Sequence, residues 1–134
     1  MGARAALQIA HGDVLAGHVH LSIVWIDMLD GDNPISAERA SKRYPTHPGI
    51  AYFHDPDRFV GASIATQIAS PGHTAWDFYV IYGAGQEWKE EARSLAPSAW
   101  FHQLADDPWA GPAHFRWGED LGPAPRIPVI GVLR

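Results

Sequence analysis

The chain has 134 residues, with 15 acidic against 10 basic side chains, a formal charge of −5 and no cysteine. That is the length of one domain, and a chain of this size buries about two-thirds of its unfolded surface, enough for a core without covalent staples. The acidic balance argues against a nucleic-acid or anionic-membrane surface, no apolar run reaches the roughly 20 residues that span a bilayer, and the lack of cysteine removes disulfides, thiolate metal sites and dithiol redox chemistry from this chain.

In chain order, residues 3–15 read as an amphipathic helix. Ala3, Leu7, Ala10 and Val14 fall on one stripe, and Gly17 is a natural stop. His18 to Met28 reads as a strand whose nearly continuous apolar, β-branched centre suits burial on both faces. Asn33 is placed to cap a helix and Pro34 suits its first position; that helix runs to about Tyr44, where Pro45 ends it. Ile50 to His54 is a second strand, and Asp55-Pro56 repeats the cap-plus-proline start. In the helix that follows, Val60, Ile64 and Ile68 form a stripe, with Gly61 and Ala65 beside it for close packing.

Pro71-Gly72 breaks the chain, and Ala75 to Tyr82 is the next strand. Gly83-Ala84-Gly85 turns it toward a hairpin partner around Gln86 to Lys89. Ser98 to Leu104 reads as a helical turn or more, and five prolines between residues 108 and 128 argue for loop. Helices alternating with strands imply an α/β fold with parallel crossovers and helices on both faces of a small mixed sheet.

Ile26 to Tyr44, with Ile-Asp-Met-Leu-Asp-Gly-Asp-Asn-Pro before its helix, resembles the second strand and following helix of thioredoxin-like proteins. His73 to Gly85 is similar to the strand after the cis-proline loop of that superfamily, and Ile50 to Ala69 to the extra strand and helix of its larger members. Val24-Trp25, Asp55-Pro56, Ala75-Trp76-Asp77 and His102-Gln103-Leu104 also resemble a bacterial thioredoxin-like group. The resemblance implies a thioredoxin-like three-layer sandwich over residues 1–121, N-terminally truncated, followed by a proline-rich apolar tail, 122–134. It also implies that the family's first strand and Cys-x-x-Cys lie upstream of Met1. The cis-proline position falls near Ala75, where a cis bond costs about 2.5–4 kcal/mol and a trans bond is expected.

Loss of a first strand leaves sheet peptide groups to be covered. The tail segment Ile127 to Leu133 is apolar and β-branched. It either docks on that edge, with Pro128 favouring an edge position, pairs with a second subunit to give a homodimer, or hangs loose.

Two sets of side chains are candidates for chemistry. Trp25, Asp27, Trp76, Asp77 and His102 are expected to form a ligand-binding rim, because two adjacent parallel strands would bring them to the carboxyl end of the sheet, where open α/β sheets bind ligands. The alternative is that the tryptophans are core and the aspartates cap loops. His18 and His20, two apart on a strand, can share a zinc or copper ion, or be two exposed histidines. His47, His54, His73 and His102 are a looser set that could converge with Asp27, Asp55 or Asp77. No His-Glu-x-x-His signature and no Gly-x-Ser-x-Gly elbow is present.

The reading is therefore a redox-inactive thioredoxin-like binding or interaction protein, with a small-molecule or protein partner, no cofactor, and a cytoplasmic location, since the N-terminus lacks an uninterrupted apolar stretch. One alternative is a fragment of a thiol-disulfide oxidoreductase whose Cys-x-x-Cys lies upstream. The other is a histidine-based zinc or copper protein.

Overall fold

A computed structural model describes Gly12, Val14, residues 16–86 and 95–116, and the backbone of 129–133. Within these residues the chain is mixed α/β. In order it forms β1 (Leu21–Ile26), α1 (Pro34–Ser41), β2 (Ile50–Asp55), α2 (Phe59–Gln67), β3 (Phe78–Ile81) and β4 (Ala99–His102). Two 3-10 turns (Pro108–Ala110, Pro112–His114) and β5 (Val129–Leu133) follow. The strands make one five-stranded sheet in the order β2-β1-β5-β3-β4. β1 is parallel to both β2 and β5, whereas β3 is antiparallel to β5 and to β4.

The tail strand is central. β5 pairs Ile23 with Gly131 on one side and Tyr79 with Gly131 on the other, so both its edges are bonded within the chain. Pro128 therefore precedes an interior strand, not an edge one. Pro128 itself lies outside the described residues.

Two apolar clusters flank the sheet. On the α1 side lie Val14, Val19, Leu21, Ile23, Trp25, Ala37, Ile50, Tyr79 and Ile81. On the α2 side lie Val24, Ile26, Ile64, Ala65, Ala75, Phe78, Val80, Tyr82, Leu104 and Ala110. Alternate residues of β1 and β3 feed the two clusters, the period-two pattern of strands covered on both faces.

The local signals were realised with shifts. Gly17 takes φ 74°, as a helix stop requires, though most of the helix expected over 3–15 lies outside the described residues. The strand expected over His18 to Met28 is confined to Leu21–Ile26. Asn33 caps α1 with its side chain, accepting from Ile35 N and Ser36 N, and Ser36 returns the bond to Asn33 N. Helix α1 ends at Ser41, short of Tyr44.

Helix α2 begins later than Asp55-Pro56 suggests, at Phe59, with Arg58 left-handed before it. Asp55 still caps it from the end of β2: its carboxylate accepts from Phe59 N and Val60 N at 2.9 and 2.8 Å and from Gly61 N at 3.4 Å. A Cβ at Gly61 would lie 2.8 Å from Ala75 O, so this position admits only glycine at the present packing distance. The Ala75 peptide is trans.

One expectation fails, and another is not tested by the described residues. Ser98 to Leu104 is not helical: Ala99–His102 is a strand, the antiparallel partner of β3. The hairpin partner around Gln86 to Lys89 lies largely outside the described residues. The alternation Trp100-Phe101-His102 at one end of a loop-rich stretch is too short to separate a strand from a helical turn by period alone.

Candidate functional site

The five rim residues reach one end of the sheet, but not as one site. β1 ends where β3 begins because the two run antiparallel, not because they are parallel neighbours, and β5 lies between them. Trp25 packs on the α1 side, whereas Trp76 and His102 pack on the α2 side. Asp77 takes φ 52°, and its carbonyl accepts from Gln103 N at 3.1 Å. Asp77 also acts on Tyr79: burial first, then the charges of Asp77 and Tyr44, push the Tyr79 hydroxyl well above the ordinary tyrosine range.

His102 is a core residue, 1% exposed. Its Nδ1 accepts from Leu104 N at 3.2 Å, so Nε2 carries the proton and donates to Gly111 O at 3.0 Å. The ring stacks on Phe78 at 5.3 Å. Both nitrogens are thus spent on backbone, which makes His102 a structural pin, not a ligand contact. His18 and His20 are exposed on the segment before β1, either side of buried Val19. Among the described residues no group of three or more His, Cys, Asp or Glu side chains is placed to hold a metal ion.

What the fold does assemble is a pair at the carboxyl ends of β1 and β2. The parallel register sets Trp25 beside His54 and Ile26 beside Asp55, which carries the next residue, Asp27, alongside His54. His54 Nε2 lies 2.8 Å from Asp27 Oδ1, with each side chain 22% exposed. The carboxylate accepts, so Nε2 is the donor, and in the neutral ring Nδ1 holds the lone pair. Arg58, left-handed at φ 62°, donates from Nε to Asp27 O at 2.6 Å and ties the start of α2 to the end of β1.

Beside this pair is a cleft of about 180 Å³ lined by Trp25, Ile26, Asp27, Asp32, Ser36, Ala37 and Ala40. One wall is fixed: Trp25 Nε1 donates to Ser41 Oγ at 2.8 Å, and that hydroxyl donates to Ala37 O at 2.9 Å. Tyr44 stacks on the indole at 6.2 Å. Asp32 Oδ2 accepts from Met28 N and Leu29 N, which folds the β1–α1 loop around the cleft. Ser36 is spent on the Asn33 capping box in both directions, accepting from Asn33 N and donating to Asn33 O, and is no poised nucleophile.

Both helix N-termini at this end are filled by the chain itself. Asn33 holds the first amides of α1 and Asp55 those of α2. The backbone amides that bind anions in other α/β domains are therefore occupied here. The cleft presents Trp25 and two carboxylates, Asp27 and Asp32, with Arg58 bonded to the Asp27 carbonyl.

Sequence reading placed Asp27 at this end of the sheet and named His54 only among scattered histidines. The signal that unites them is that each stands at the carboxyl end of one of two successive parallel strands. The geometry defines a small mixed α/β domain with a His–Asp pair and an acidic, aromatic-walled cleft at the carboxyl edge of its parallel strands. No family model, no curated protein and no solved structure matches the chain.

Proposed function

We propose that this chain is a thioredoxin-like binding module without thiol chemistry of its own, and that its ligand is a small cation or uncharged hydrogen-bond donor held in the cleft beside Trp25, Asp27 and Asp32. The observation that carries this is the filling of both neighbouring helix N-termini by Asn33 and Asp55 while two carboxylates line the cleft. An anion would meet occupied amides and like charge; a donor would meet acceptors and an aromatic wall. Supporting the thioredoxin-like part is the sheet itself, in which β5 is bonded on both sides and takes the interior place that the resemblance leaves for a first strand. That same occupancy speaks against the oxidoreductase-fragment reading, because an upstream strand would compete with β5 for its partners.

The test is a titration of ¹⁵N-labelled protein with four probes: ethanolamine, glycerol, acetate and inorganic phosphate. The reading expects saturable shifts at the Trp25 indole N–H and at Asp27, Ser36 and Ala37 with ethanolamine or glycerol, and none there with the anions. Shifts at these sites with phosphate alone would overturn the ligand class. No saturable shift with any probe would overturn the cleft as the site.

A further inference from the structure

We propose that β2 is a self-pairing edge, through which two copies of this chain join antiparallel into one continuous sheet. Among the described residues β2 pairs only with β1, and none of them forms a strand on its other side. Its odd-numbered peptides face β1: Gly49 O accepts from Leu21 N, and Asp55 O from Asp27 N. The peptides of Ile50, Tyr52 and His54 therefore turn outward.

Natural edge strands are commonly blunted by proline, lysine or a bulge. The strand Ile-Ala-Tyr-Phe-His-Asp has none of these. Its one carboxylate, Asp55, is turned inward onto α2 and is 6% exposed. On the α2 face this edge instead shows apolar surface, with Phe53 53% and Phe59 73% exposed.

The register selects a second copy as the occupant. A two-fold axis at Tyr52 sets Tyr52 opposite Tyr52 and makes Ala51 of each copy face Phe53 of the other. Small meets large twice, at pairs without ladder bonds, where Cα atoms approach to about 4.5 Å. On the α1 face Ile50 then lies opposite His54. Ile50 N is already bonded to His47 O, so the ladder runs through both groups of Tyr52 and from His54 N to Ile50 O. A two-fold axis at Phe53 would bond as many outward groups, but would set Phe53 against Phe53 and Ala51 against the helix-capping Asp55, losing the small-to-large match.

Sedimentation equilibrium of the full chain, from low micromolar to near-millimolar concentration, tests this. The wild type should rise from its monomer mass of 14.7 kDa toward twice that value. Phe53→Lys and Ala51→Lys, both at exposed positions, should each remain monomeric with unchanged circular dichroism, and Leu29→Lys, at an exposed apolar residue away from the edge, should behave as wild type. If one lysine variant misfolds, the other decides. A monomer throughout would overturn the proposal and leave the edge to a strand from a different protein. A dimer insensitive to both β2 lysines would overturn it as well, by placing the interface elsewhere.

Discussion

Asp27 and His54 meet at 2.8 Å across the ends of two parallel strands, 27 residues apart in the chain. The contact depends on the β1–β2 register and on nothing local, so it reports the fold as directly as it forms the cleft's rim. Asp27→Asn and His54→Gln should each lower stability by about 1 kcal/mol, the net worth of a part-buried polar contact. The double variant should lose less than the sum, and urea denaturation of all three in a double-mutant cycle measures the coupling.

Asp55 is the N-terminal anchor of α2. Asp55→Ala should cost about 2 kcal/mol, because it leaves amides at the start of the helix without their acceptor. Asp55→Asn keeps one acceptor oxygen and should cost less. Thermal unfolding of the two variants orders them.

His102→Phe tests the structural pin. It keeps the ring against Phe78 but strands Leu104 N–H and Gly111 C=O, so a loss of about 2–3 kcal/mol is expected. Binding at the cleft should be unchanged, since His102 packs on the other face of the sheet. The four-probe titration repeated on this variant checks that separation.

Gly61→Ala separates propensity from packing. Alanine is favoured in a helix by about 1 kcal/mol, yet the new Cβ would stand 2.7 Å from Thr74 Cγ2 and 2.8 Å from Ala75 O. Backbone oxygen yields little, so the overpacking cost of about 1–3 kcal/mol should win and the variant should be less stable. A higher melting temperature would show that α2 can move off the 74–75 segment.

Tyr79 and Tyr82 set an alkaline limit. Burial is the first cause that raises both hydroxyls above the ordinary value of 10; Gln67, which accepts from Tyr82, opposes the rise. Above pH 10 the unfolded chain releases these protons while the folded chain retains them, so stability is constant below that point and falls as pH rises beyond it. Tyr79→Phe should flatten the fall between pH 10 and 12, followed by denaturation at fixed pH values.

Much of this was legible one element at a time. Asn33-Pro34 marked a helix start, Gly61 a close approach, and the apolar centre of His18 to Met28 a doubly covered strand, because each rests on backbone sterics or capping within a few residues. The misreadings share one origin. Whether Ala99 to His102 is a strand depends on β3, and whether Asp55 caps a helix four residues on depends on the turn between them. The rim failed for the same reason. Trp25 and Trp76 do reach one end of the sheet, but which face each occupies follows from the strand order, and the strand that decides that order comes last in the chain.

That last strand carries the central claim, that the chain's own tail fills the place between β1 and β3 and holds the sheet together. Ending the chain at residue 126 removes β5 and leaves β1 and β3 without the strand between them. Urea denaturation of this truncated chain, followed by circular dichroism, should show no cooperative transition, and adding a synthetic peptide of residues 127–134 should restore one. A cooperative transition at the full-length midpoint without the peptide would contradict the account, because the sheet would then be held together by something other than its own tail.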